Sequence, residues 1–148
     1  MRSDEKTFVA VGGPEADLSD DELEGLFSEA LARALEAAGS GPAALLPPDG
    51  TRFHSKAGFL TDIAARDLMA RREGDRLGFV MPALGTHMAM TEAELRRMFP
   101  GTPLDRFRPH DWRNDGVELG RLEAEFGDRV SAGSVRPDWP VQVKKAEI

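Results

Sequence analysis

The 148-residue chain contains no cysteine. Disulfides, thiolate metal ligands and thiol nucleophiles are therefore excluded, while the redox compartment is left open. Basic charge is also in the minority, with 19 Lys and Arg against 26 Asp and Glu and a formal charge of -7. An acidic balance of this kind offers no basic face for a phosphate backbone, so a nucleic-acid partner is not expected. A small anion held by one or two arginines is compatible with it. No apolar run approaches the roughly 18 to 20 residues of a membrane span, and Met1 is followed by Arg2-Ser3-Asp4-Glu5-Lys6. The sequence thus predicts neither anchor nor signal peptide, and a cytoplasmic location.

Several motifs are missing too. Neither G-x-G-x-x-G nor G-x-x-x-x-G-K occurs, which removes the dinucleotide and P-loop fingerprints, and there is no G-x-S-x-G elbow. The three histidines, His54, His87 and His110, share no H-E-x-x-H spacing, so no metal cage made by this chain is expected. Internal repeats and low-complexity tracts are likewise absent.

What is present is 41% hydrophobic and 30% charged residues, which suits one globular domain over 1–148. Thr7 to Val11 reads as a short strand closed by Gly12-Gly13-Pro14. Ser19 with Glu22 forms a capping-box pattern ahead of Leu23, Leu26, Phe27, Leu31 and Leu35 at helical spacing, predicting a helix up to Gly39. Ala43 to Leu46 is apolar enough to be a buried strand. Pro47-Pro48 ends it, leaving Asp49 to Ser55 as a polar turn. A second helix starts near Ser55 with Leu60, Ile63, Ala64 and Leu68 on one face and Gly74 as its stop. Leu77 to Met81 is the next strand, and Thr91 with Glu94 caps a short helix ended by Pro100-Gly101.

Alternation of strand and helix predicts an α/β fold, Rossmann-like and three-layered, with a mostly parallel sheet and helices on both faces. Past Gly101 the pattern changes to an irregular, β-rich part. Leu104 to Phe107, Val117 to Leu119 and Val141 to Val143 are short strand candidates there, joined by turns such as Asn114-Asp115-Gly116.

Open α/β sheets bind ligands at the carboxyl ends of their strands. His87 sits at such a point, after the strand Leu77 to Met81, with Gly85 and Thr86 allowing close backbone approach to a ligand. It reads either as an acid or base or as a residue that packs the turn before Thr91. Asp49, Thr51 and Arg52 offer a carboxylate, a hydroxyl and a guanidinium after the previous strand, suited to orienting an anion or, equally, to an Asx-type turn with a surface arginine. His54 adjoins the helix start and suits a local cap. His110 and Asp111 bring an imidazole and a carboxylate together in sequence, a pairing that raises the basicity of a histidine.

The stretches PPDGTRFHSKAG, PALGTHMAMTEAEL and HDWRND, in this order, resemble the amino-terminal domain of the nickel-dependent lactate racemase family, and within it 2-hydroxyacid racemase and epimerase homologues. The resemblance runs from about Leu46 to Val143. It implies an isomerase that uses a nickel-pincer nucleotide tethered to a lysine, with the active site between two domains. One histidine removes the hydroxyl proton while hydride passes from the same carbon to the cofactor. His87 matches such an acid/base histidine. Asp49, Thr51 and Arg52 match a D-x-T-R turn lining the cofactor and substrate site, and Ser55, Gly85 and Thr86 fall in the same two matched turns. His110 and Asp111 match a recurrent pair.

Gly50 departs from that pattern, standing where such proteins carry a bulky aromatic or histidine. The family's tethering lysine, second acid/base histidine and nickel-binding histidine have no counterpart in this sequence. The expectation is therefore an amino-terminal domain that binds a small anionic 2-hydroxyacid, is completed by a complementary C-terminal domain or subunit, and neither retains the cofactor nor turns over alone. The alternative expectation is a catalytically incomplete anion-binding module.

Overall fold

A computed structural model describes residues 9–72, 74–111, 113–114 and 116–144. They fall into two compact units, one ending at His110 and the other starting at Asp111. The boundary follows the change of sequence pattern after Gly101.

In the first unit Ser19 caps helix α1 (Asp20–Ala38): its hydroxyl accepts from the Glu22 amide at 3.3 Å, and the Glu22 carboxylate accepts from the Ser19 amide at 2.9 Å. Both orphan donors of the capping box are thereby satisfied. Gly39, at φ +85°, ends the helix in a conformation that disfavours a side chain. Strand β1 (Ala43–Leu45) follows, then a 3-10 helix (Gly50–Ser55), helix α2 (Ala57–Met69), strand β2 (Leu77–Val80), helix α3 (Glu92–Met98) and a 3-10 turn (Leu104–Arg106).

β1 and β2 are parallel, with Ala43 opposite Leu77 and Leu45 opposite Val80. Two single bridges lengthen this small sheet, Pro48 to Ala83 and Val80 to Phe107, both parallel. The core gathers Leu35 of α1, Ala65 and Leu68 of α2, and Leu77 and Val80 of β2, with Leu31, Ala43, Leu45, Met69 and Phe107 packed around them. Phe99 and Phe107 add a tilted ring pair at 5.3 Å. Asp62 of α2 fastens the end of α3 by accepting from the Gly101 amide at 2.9 Å and the Thr102 hydroxyl at 2.6 Å.

The protein is thus a mixed α/β structure with a small parallel sheet. Several sequence expectations need correction. Val9 to Val11 form no strand and are exposed; Thr7 and Phe8 lie outside the described residues. The segment Ala43 to Leu46 is not buried, since Leu46 is 66% exposed beyond the last paired residue. α2 ends at Met69, before Gly74, with the Ala70 amide closing on the Arg66 carbonyl. Leu104 to Phe107 is not a strand. Pro103, its φ held near that of a helix start, leads into a 3-10 turn, and Phe107 alone reaches β2.

The second unit pairs strand β3 (Gly116–Leu122) antiparallel with strand β4 (Trp139–Lys144), with helix α4 (Ala124–Val130) between them. These strands extend both short candidates read from the sequence. Pro140 is tolerated because the two-stranded ribbon leaves one side of β4 unpaired. α4 was not expected, as Glu123 supplies no side-chain cap and Gly127 breaks the pattern. A Cβ at Gly127 would stand 3.1 Å from the Val135 carbonyl oxygen, so close backbone approach explains the glycine. Among the described residues no helix is long and apolar enough to cross a membrane.

Candidate functional site

The Pro48 to Ala83 bridge carries β1 and β2 forward together, so the turns that follow both strands emerge at the same sheet end. Proline at 47 and 48 cannot donate to a ladder, and the chain turns at Asp49. Asp49 caps the 3-10 helix: its Oδ1 accepts from the Thr51 amide at 3.1 Å and from the Thr51 hydroxyl at 2.6 Å. Its other oxygen, Oδ2, lies 2.5 Å from Nδ1 of His87. That histidine closes the turn after β2, its amide donating to the Leu84 carbonyl at 2.9 Å, with Gly85 at φ +58°. Only glycine adopts such a backbone freely.

The Asp49 side chain is buried, whereas that of His87 is 55% exposed. The Thr51 hydroxyl first, then His87, then the Thr51 amide hold the Asp49 carboxyl below its ordinary range, against the opposing effect of burial. A carboxylate can only accept from an Nδ1–H, so this pairing favours the tautomer whose Nε2 faces a ligand as an acceptor.

His87 lines a cleft of about 560 Å³ together with Asp49, Gly50, Thr51, Phe53, Glu94, Arg97 and the methionines 88, 90 and 98. Glu94 is occupied as the cap of α3, accepting from the Thr91 amide at 2.7 Å and the Thr91 hydroxyl at 2.8 Å. These bonds lower its carboxyl, and the nearby Asp49 charge opposes them. The Arg97 guanidinium lies 4.9 Å from the centre of the Phe53 ring.

The expected residues separate into two groups. Asp49, Thr51 and His87 come together in the cleft. Arg52, Ser55, Gly85 and Thr86 are exposed and do not line it. Arg52 contributes its backbone, donating to Asp49 and accepting from the Ser55 hydroxyl at 2.7 Å. His54 is exposed within the 3-10 helix.

His110 stands in the wall of a smaller cavity of about 220 Å³, with Leu84, Met90 and Phe107, and its Nδ1 is buried with no hydrogen-bond partner among the described residues. Asp111 begins the second unit, where it caps a turn by accepting from the amides of Arg113 and Asn114 at 3.2 Å and from the Asn114 side chain at 2.7 Å. Glu94 was read from the sequence only as a helix cap, and Phe53, Arg97 and the methionines were not read as site residues. The i, i+3 spacing of Glu94 and Arg97 after the Thr91 cap was a usable signal.

Among the described residues no group of three or more His, Asp or Glu side chains is placed to hold a metal ion.

No protein-family model matches the chain, and no curated protein does. A crystal structure of a protein from Thermotoga maritima, a structural genomics target, is similar with a TM-score of 0.66 at 22% identity. The match covers 85% of this chain and 31% of that one, so the likeness shows a shared fold over less than a third of the neighbour's length.

Proposed function

We propose that the chain is the proton-handling domain of a lactate racemase-like 2-hydroxyacid racemase or epimerase. The observation that carries this reading is the Asp49 to His87 hydrogen bond at the mouth of a cleft at the carboxyl end of parallel strands. In this reading Nε2 of His87 takes the hydroxyl proton of the substrate and later returns it. Asp49 orients the ring and stabilises its protonated form, and Thr51 orients Asp49. The finer fold belongs to the same proposal: β1 and β2 are two strands of a larger Rossmann-like, three-layer sheet.

The described residues supply one histidine to the cleft. The nickel-pincer nucleotide and the second proton-handling group are accordingly assigned to a complementary C-terminal domain or subunit. Exposed apolar side chains on the second unit, including Leu119, Val130 and Trp139, support a partner of that kind. A cytoplasmic location completes the proposal.

The test is reconstitution of the chain with a cofactor-loaded complementary half and chiral chromatography of a 2-hydroxyacid. The complex is expected to interconvert enantiomers, the isolated chain is not, and His87→Ala is expected to abolish turnover. Activity retained by that variant would remove His87 from the chemistry. The Arg97 guanidinium in the cleft wall supports a second reading, an anion-binding module without turnover, in which the reconstituted complex stays inactive.

A further inference from the structure

We infer that the cleft selects organic anions with a bulky apolar substituent, a 3-aryl-2-hydroxycarboxylate rather than lactate, with the carboxylate on Arg97. This rests on the reading of His87 given above and adds a substrate class to it. The charges of the cleft decide where an anion sits. Asp49 is engaged by Thr51 and His87, and one oxygen of Glu94 by both donors of Thr91, so both carboxylates are held by their own turns and the anion-binding group of the cleft is its guanidinium. Arg97 has no carboxylate partner among the described residues, whereas its neighbour Arg96 is paired with Glu92. Stacked on Phe53, the guanidinium is held in place while its N–H edge stays available for the two-pronged grip that suits a carboxylate. The arginine expected from the sequence, Arg52, is not in the cleft wall.

Size and lining decide the rest of the ligand. About 560 Å³ lies within the range of sites for drug-sized molecules. Lactate, with six heavy atoms, leaves most of it to water. Phe53 is 49% exposed and Met88 77% exposed, so the cleft presents apolar surface that a ligand substituent would cover. Methionines at 88, 90 and 98 give this wall an adaptable, polarisable face suited to a ring. Gly50 also lines the cleft. A Cβ there would stand in ordinary contact, 3.5 Å, with the Met90 methyl carbon, so a side chain as large as a phenyl ring would crowd this methionine.

The experiment titrates the purified chain with lactate and with 3-phenyllactate at pH 7 by calorimetry, and follows the His87 ring resonances by NMR. 3-Phenyllactate is expected to bind about tenfold or more tightly than lactate, in keeping with burial of a ring. Arg97→Gln is expected to weaken both ligands about tenfold, the scale of a lost charge-assisted pair. Gly50→Phe is expected to weaken 3-phenyllactate and spare lactate. Equal affinities for the two acids would overturn the inference, as would loss of binding in Arg52→Ala with Arg97→Gln silent. If 3-phenyllactate binds through Arg97 but the His87 resonances do not respond, the anion site stands and the proton-handling role fails. If those resonances respond alike to both acids and Arg97→Gln changes nothing, the substrate class fails and the role of His87 stands.

Discussion

Asp49 is the residue on which the site turns, because one carboxylate caps a 3-10 helix and orients an imidazole from the next turn. Replacing it with asparagine keeps an acceptor for Thr51 but sets an amide donor against the Nδ1 proton. Hydrogen bonds to a charged group contribute about 1.5–3 kcal/mol, so Asp49→Asn is expected to destabilise the fold by about that much at pH 7. The pH dependence has a definite sign. Thr51 and His87 lower the Asp49 carboxyl in the folded state, so its contribution is complete above the unfolded value of about 3.9 and is lost as pH falls through the folded one. Urea unfolding between pH 3 and pH 7 should show wild type and Asp49→Asn converging below about pH 4. A gap that stays constant into acid would mean that the carboxylate is not held as described.

At the scale of elements, the cleft depends on how α2 and α3 meet. Gly58, in the first turn of α2, lets the end of α3 approach until a Cβ would fall 2.0 Å from the Met98 carbonyl oxygen. Backbone cannot yield as a flexible side chain does, so Gly58→Ala is expected to cost about 1–3 kcal/mol or more by urea denaturation. Displacement of Met98 and Arg97 should weaken anion binding in the same protein. A neutral substitution would show that the two helices are not in this contact. The capped helices were legible in the sequence because Ser19 with Glu22 and Thr91 with Glu94 are local signals, and the strand cores at Ala43 and Leu77 because apolar runs end in proline or a turn. The Asp49 to His87 pair was legible only as two separate turns, since the residues are 38 positions apart and one sheet end unites them. Arg97 was passed over because its role comes from the packing of Phe53 beneath it, and Leu104 to Phe107 was misread because its two apolar ends were given more weight than their i, i+3 spacing and the constraint set by Pro103.

At the scale of the whole molecule, stability is unevenly distributed. Every buried hydrophobic residue among those described, from Leu35 to Phe99, belongs to the first unit. β3 is exposed along its whole length, and Leu119, Val130 and Trp139 each leave more than half of their surface to water. A two-stranded ribbon with one short helix and no buried centre is marginal by itself. A chain ending at His110 is therefore expected to keep a cooperative thermal transition with a midpoint within a few degrees of the full chain, and to keep the cleft. The complementary piece, 111–148, is expected to show no cooperative transition on its own. Circular dichroism melts of both pieces, with amide NMR spectra of the shorter chain overlaid on those of the full one, decide the matter. Collapse of the 1–110 chain would show that the core drawn from Leu35, Ala65, Leu68, Leu77 and Val80 is not sufficient by itself.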